Sequence, residues 1–407
     1  MSNSLLSPTI ITREALRYFH QKSVFIASIN RQYDNQFANE GASPSGKIGP
    51  NLTIRMPNRF TVRTGAVMQL QDVAEDSQVL TVSTQKGVDF SFPVTDLTLT
   101  IDQFGARYLE PAMARLAADV ESDAIKMYKD VGTFVDQDTV PLAFLHYLQA
   151  AQKLNENLAF DDGQRKVLMS ETHNTKLVDA VKGLFNPQSL VGDQYKNGEV
   201  ANNTAGFNKL MHSTLFTNHT TGTAAKTTGY TVNGATQNGA TITIQSGSTT
   251  FLKGDVVTFA GSNACHPETK ADLGYLRTFA VTADSGANAT SLAISPSLLE
   301  PTLNPAKANV TAFPTNTGAV VKVGAGASET LVQSLCYHRD AFTFVTADLI
   351  DVSKFGAWGS RQVMDGISMS LARQFDIVNY RVPCRIDVLY GFKTIRPELA
   401  ARLHADG

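Results

Sequence analysis

The tripeptide His338-Arg339-Asp340 has the residue types of a phosphoryl-transfer loop, in which the aspartate takes a proton and an asparagine five residues on holds a metal ion. Val345 stands at that position, and no glycine-rich loop is present to cover a nucleotide, which argues against kinase chemistry. Cys336 and His338 supply a thiol and an imidazole that share a face on a strand. No third group is in view to orient the imidazole, so core packing is the expected role of Cys336. Cys265 and His266 lie near Glu268 and Asp272, which are ligand types without the paired spacing of a zinc site, and an ordinary polar loop is expected. No metalloprotease, P-loop or dinucleotide fingerprint occurs, and the GAGAS run at Gly324 lacks the strand-and-helix context that would give it meaning. The reading is therefore of a non-enzyme with no catalytic, cofactor or metal site.

One charged pattern remains. Arg55, Arg59 and Arg63 place a positive charge every four residues, suited to phosphates or to carboxylates on a neighbouring subunit. The net charge of −2, from 35 basic and 37 acidic residues, favours the neighbour over tight nucleic-acid binding. Charged residues make up 18% of the chain, below the roughly 25% usual in soluble domains. Such depletion fits a chain that covers much of its surface with copies of itself, or one with a surface rich in Thr, Asn and Ser. Cys265, Cys336 and Cys384 are few, odd in number and far apart, which points to reduced thiols inside a cell. The sequence shows neither a leader pattern nor a run of eighteen apolar residues, so a cytosolic protein without membrane partners is expected.

The elements that would position these residues can be read from periodicity. Residues 12–29 form an amphipathic pattern, with Thr12 as N-cap and Leu16, Phe19, Ser23, Ile26 and Ile29 on one stripe. After a Gly/Pro/Ser-rich loop, NLTIRMPNRFTVRTG and QVLTVSTQKGVDFSF read as an extended β arm. In LTLTIDQF, Leu97, Leu99 and Ile101 alternate with polar residues as in a half-buried strand. Pro111 fits the first turn of a helix, and from there Leu109, Met113, Leu116, Val120, Ala124 and Met127 recur at three and four, with Arg115, Asp119, Glu121 and Lys126 elsewhere. About 20 residues at roughly 1.5 Å each predict a rod on the order of 30 Å. A helix opened by Pro141, a strand KVLMS and a helix capped by Ser170 and stopped at Asn186-Pro187 follow. Beyond about Gly222 the chain turns Thr/Gly/Asn-rich, with short strands up to about Gly326, and reads as a separate β domain. Longer apolar segments then return, with Cys384, Ile386, Val388 and Tyr390 alternating against Arg385, Asp387 and Leu389.

KIGPNLTIRMPNRFTVRTG, QDVAEDSQVLTVSTQKGVDFSF, LTLTIDQFGARYLEPAMARLAADVESDA, NTAGFNKLMHS and CRIDVLYGFKTIRPELA, in this order, give the chain its family likeness. It resembles the major capsid (coat) proteins of tailed double-stranded-DNA bacteriophages, of the short-tailed Salmonella phage type with an inserted β domain. The resemblance implies an α+β chain with the tailed-phage/herpesvirus capsid fold. Its parts would be an N-terminal arm (1–46), an extended β loop (47–92), a peripheral domain with a long spine helix (93–130 and 362–407), an axial domain (131–221 and 327–361) and an inserted all-β domain (222–326). It further implies hexamers and pentamers closing into an icosahedral capsid in the host bacterial cytoplasm. Scaffolding protein, portal protein and weakly contacted packaged DNA would be its partners. Arg55, Arg59, Arg63 and Lys86 are the candidate inter-subunit contacts. Some members of the wider fold join subunits by a Lys-to-Asn isopeptide bond, for which Lys47 or Lys86 would be the positions. The region GYTVNGATQNGATITI looks shortened relative to the projecting loop of the short-tailed-phage relative. Three rival readings stand beside this one: an encapsulin-type cage, an enzyme with a site at a domain junction, and a β-domain carbohydrate- or receptor-binding protein.

Overall fold

A computed structural model describes residues 8–33, 49–68, 70–71, 75–93, 109–137, 140–181, 203–324, 326–349, 352–356, 358–364, 366–378 and 381–405. The chain divides into two units, the first made of residues 1–55, 77–125 and 342–393 and the second of residues 56–76, 126–341 and 394–407.

In the first unit, helix α1 (Pro8–Lys22) buries Leu16 and Phe19, and beyond it Ser23, Ile26 and Ile29 continue the same stripe into a 3-10 turn. The helix starts ahead of Thr12, so that residue is no cap; it is fully buried, and its hydroxyl meets Ser360 Oγ at 2.7 Å. Helix α2 (Glu110–Ile125) buries Met113, Leu116, Val120 and Ala124, the stripe that the spacing predicts, with Pro111 in its first turn. It spans 16 residues, roughly 24 Å, and the next turn, Lys126–Asp130, is 3-10 and falls in the second unit. Glu121 departs from the expectation of a solvent-facing charge, being 1% exposed.

Among the described residues the first unit's main sheet contains Phe342–Ala347, Trp358–Met364, Ile367–Arg373, Arg381–Thr394 and Thr84–Pro93. Cys384, Ile386, Val388 and Tyr390 are buried and Arg385 is exposed, but Asp387 is buried and Leu389 half-buried, so the period-two reading holds for the inward face and only partly for the other. Thr84–Pro93, expected in the extended loop, instead pairs antiparallel along Arg381–Thr394, from Tyr390↔Thr84 to Arg381↔Pro93. Its alternating residues are half-buried on one face there and exposed on the other. The expected strand at Leu97–Ile101 lies outside the described residues. Of the β arm, Asn51–Arg55 and Ser77–Thr81 form a two-stranded antiparallel ladder. Gly391 allows it to approach, because a Cβ there would sit 2.2 Å from Thr81 O. Residues 342–361, expected in the axial body, belong to this unit because their strands join this sheet.

In the second unit a sheet of described strands runs in the order Phe134–Gln137, Ala400–Ala405, Gln333–His338, Arg165–Met169, Lys209–His212. Ala400–Ala405 falls within 362–407, expected in the peripheral domain. Its sequence, AARLHA, favours helix by propensity, but pairing on both edges and burial of all six residues override that preference. Helix α3 (Phe144–Glu156) begins three residues after Pro141, and the Ala143 amide donates to His146 Nδ1 at 3.1 Å. Helix α4 (Glu171–Val181) follows the Ser170 cap as the sequence predicts, with the His173 amide donating to Ser170 Oγ at 3.3 Å. Its expected stop at Asn186-Pro187 lies outside the described residues.

The Thr/Gly/Asn-rich segment forms a closed barrel, ordered Val256–Cys265, Asp272–Val281, Ser291–Leu298, Gly239–Gln245, Thr227–Val232, Ala319–Val323. Tyr230, Ile242, Ile244, Phe251, Phe259, Phe279 and Leu292 fill its interior. The barrel falls in the same unit as the α/β sheet. Arg277, buried, donates to Asn157 Oδ1 at 3.1 Å, and Tyr275 O–H donates to Glu156 Oε2 at 2.6 Å. At Gly132 a Cβ would lie 2.6 Å from Ser295 O, so the barrel wall touches bare backbone.

Candidate functional site

The residue pairs with catalytic chemistry are sealed. Ser334 and His173 are fully buried, their Oγ and Nδ1 2.7 Å apart, and Tyr147 O–H reaches the same Oγ at 3.1 Å. His173 Nε2 faces the Ala405 carbonyl at 3.3 Å, so that nitrogen carries the proton and Nδ1 accepts from the serine. Burial pushes the imidazole down to about 4, which leaves it neutral at pH 7. This is a buried nucleophile–base contact in which, among the described residues, no carboxylate orients the imidazole. Periodicity could not reveal it, because Ser334 and His173 are 161 residues apart.

The motifs flagged in the sequence have similarly structural positions. His338 is buried, with Nε2 3.1 Å from Asp162 Oδ1 and Nδ1 accepting the Asp340 amide at 3.2 Å. Cys336 lies in the core, and burial raises its thiol well above the ordinary range. His266 Nδ1 accepts the amides of Glu268 and Thr269, each at 3.2 Å, as in a polar turn. Among the described residues no group of three or more His, Cys, Asp or Glu is placed to hold a metal ion, and no helix is long and apolar enough to cross a membrane.

The candidate contact residues fall into three settings. Arg55 is an exposed residue of the two-stranded ladder. Arg59 Nη2 lies 3.8 Å from Glu398 Oε1 of its own chain, and Arg63 Nη1 donates to the carbonyls of Gly65 and, at 3.3 Å, Val67. Lys86 donates to Asp119 Oδ2 at 2.6 Å and Asp123 Oδ2 at 2.5 Å, which ties the strand to α2. Tyr390 O–H adds a bond to Asp123 at 2.8 Å. Partial burial alone would lower the Lys86 ammonium, but its two carboxylate bonds leave its pKa raised. Lys47 lies outside the described residues. Lys86→Ala is expected to cost only about 1 kcal/mol, since the group is part-exposed, and to lose that effect in 1 M salt. Urea unfolding at low and high salt checks it.

Sequence reading missed the most conspicuous surface. In the stretch 56–71, Val62 is 98% exposed, Leu70 87%, Val67 80%, Met68 71% and Phe60 63%. These residues form no strand. The Gln71 side chain braces the loop, its Oε1 accepting the Thr61 amide at 2.9 Å and its Nε2 donating to the Thr61 carbonyl at 2.7 Å. Five large apolar side chains of this loop thus stand in solvent.

Residues 41–403 match the family described as "P22 coat protein - gene protein 5", and the chain belongs to that family. It is a phage capsid subunit, and a component of the virion, with the α+β capsid fold of tailed phages. No curated protein matches its sequence. Solved structures similar to it include one from Mycobacterium phage Che8, at 12% identity and TM-score 0.49, covering 94% of this chain and 90% of that one. Another is the mature capsid of bacteriophage PhiM1, at 13% identity and TM-score 0.46, covering 88% and 83%. A virus-like particle from Pyrococcus furiosus shows 8% identity and TM-score 0.40, covering 96% of each.

Proposed function

We propose that copies of this chain assemble into hexamers and pentamers that close into an icosahedral shell around packaged double-stranded DNA. Assembly takes place in the host bacterial cytoplasm, guided by a scaffolding protein around a portal ring, and involves no enzymatic turnover by this chain. The exposed apolar loop 56–71 carries the reading. Removing several large side chains from water is worth about 1.5–3 kcal/mol each when fully buried, enough to drive a contact yet small enough for errors to dissociate. Repetition over many copies then makes the closed shell persist. Near-neutral net charge supports weak contact with the genome, since strong phosphate binding would hold it to the wall.

Val62→Ser, Val67→Ser and Leu70→Ser combined are expected to abolish particles while shifting unfolding stability by less than about 0.5 kcal/mol, because the side chains are already solvated. Electron microscopy and sedimentation of the full chain expressed with its scaffold read the first effect, and urea unfolding the second. Particles of normal yield from the triple variant would overturn the assignment of the loop.

A further inference from the structure

Buried polar groups go without partners where the α/β sheet of the second unit meets the barrel. Arg402 is fully buried, its guanidinium 5.4 Å from the Phe134 ring centroid and 5.9 Å from that of Tyr128. Its Nη1 donates to the Gly254 carbonyl at 2.8 Å, while Nε and Nη2 have no hydrogen-bond partner. Gln333, also buried, leaves Nε2 and Oε1 unbonded, and His219 leaves Nδ1. These atoms lie along one boundary. Arg402 sits opposite Leu335 and Phe134 in the adjoining strands, and Gln333 is two residues from Leu335, so all four share a face of the sheet. That face meets the barrel: a Cβ on Gly324, just past Ala319–Val323, would lie 3.5 Å from the Phe134 ring, and one on Gly254 would lie 3.1 Å from His219 Cε1.

Neither layer explains the deficit from within. The strand Ala400–Ala405 is hydrogen-bonded along both edges, and the barrel is closed. An unbonded donor in a dry interface costs free energy only while the interface is shut, because water satisfies it on opening. The chain passes between the two layers through two short strands, His219–Thr220 and Thr330–Leu331, which pair with each other as a stalk. Side-chain bonds such as Tyr275 to Glu156 and Arg277 to Asn157 hold the layers together, and neither belongs to a strand ladder.

We infer that this seam is a hinge built into the subunit. It opens with sheet and barrel each still folded, the barrel turning on its stalk while water reaches Arg402, Gln333 and His219. Packing and side-chain bonds favour the closed form, and the unbonded guanidinium edge keeps that preference shallow. In the proposed shell, rings of five and of six copies demand different angles from one chain, and a turning barrel supplies them. That use rests on the proposed function, whereas the hinge is a property of the lone subunit.

The test uses two neighbours on one strand. Leu335 is fully buried on the seam face, and Cys336 is fully buried on the opposite face. Full-length, unassembled Leu335→Cys is pulsed with an alkylating reagent in native buffer, and tandem mass spectrometry assigns the labelled site. Position 335 is expected to label on the order of tenfold faster than Cys336, because hinge opening uncovers only one face. Arg402→Met keeps most of the stem and removes the unbonded edge. Added to Leu335→Cys, it is expected to slow labelling at 335 by about tenfold and leave the Cys336 rate unchanged; alone, it is expected to raise the melting temperature by about 2–4 °C. Equal rates at 335 and 336 would mean that the strand is uncovered only by unfolding, and they overturn the hinge. A lower melting temperature for Arg402→Met alone overturns it independently, since the guanidinium edge would then be no cost to closure. Neither readout involves particles, so the coat reading stands or falls separately.

Discussion

Asp255→Ala is expected to destabilise the protein by about 3–5 kcal/mol, the range for removing one partner of a buried charged network. Asp255 is 1% exposed, its Oδ1 lies 2.9 Å from His219 Nε2, and its Oδ2 accepts the amides of Gly222 at 3.0 Å and Leu252 at 2.9 Å. One carboxylate thus fastens the segment entering the barrel, the turn before Val256–Cys265 and an imidazole in the core. Alanine leaves two amides and a ring nitrogen without acceptors where water does not reach. Burial alone would raise the Asp255 carboxyl, but the His219 bond and the two amides outweigh it and hold it below 3.8. A depressed carboxylate contributes stability above its unfolded value, and the contribution disappears as pH falls through the folded one. His219, lowered from 6.5 chiefly by burial, acts in the same direction, favouring the fold above 6.5 and opposing it as acid protonates the ring. Unfolding in urea from pH 7 to pH 3 should therefore show a weaker acid dependence in Asp255→Ala than in the unaltered chain. A loss below 1 kcal/mol at pH 7 would contradict the network's role.

Glu121 supplies the second large effect, with the opposite sign in pH. Its Oε1 accepts the amides of Val24 and Phe25, each at 2.9 Å, where α1 has ended and the chain turns into the 3-10 segment. The other oxygen, Oε2, is buried without a hydrogen bond. Burial raises the carboxyl above 4.5, against the pull of the backbone amides. A raised group favours the fold fully below its unfolded value, and this favour fades as pH rises through the folded pKa. Stability should fall from pH 4.5 upward in the window where the buried carboxyl ionises. Glu121→Gln keeps an acceptor and should cost under about 1 kcal/mol while flattening that slope, whereas Glu121→Ala should cost about 2–4 kcal/mol by orphaning both amides. Melting temperatures from pH 4.5 to 7.5 separate the cases. Identical slopes for Gln and Glu would sink the argument.

These two carboxylates also show what a sequence conceals. The stripe on α2 and the strands of the barrel were legible because burial there follows a fixed period. Glu121 breaks that period, and a charge on a helix is read by default as facing water, since its partners lie 96 and 97 residues away; Asp255 sits in the turn before Val256–Cys265, outside any period, and two of its partners lie 33 and 36 residues away. Ala400–Ala405 conceals its place for a related reason: the strands that flank it in the sheet decide its conformation, against what its own residues favour. Arg55, Arg59 and Arg63 drew attention as an evenly spaced charge. The apolar neighbours of Arg63 did not, because exposure is a fact about what lies opposite, which no spacing encodes.

The closure of the barrel matters most when the protein is crowded. A strand at the rim of an open sheet offers a row of bare amides and carbonyls to any similar strand, and packing a polypeptide at the density of a crystalline wall multiplies such meetings. Ringing Thr227–Val232 and Ala319–Val323 into the same cylinder as their four companions consumes that row. Barrels of neighbouring copies can then be pressed side by side without recruiting one another into amyloid-like stacks.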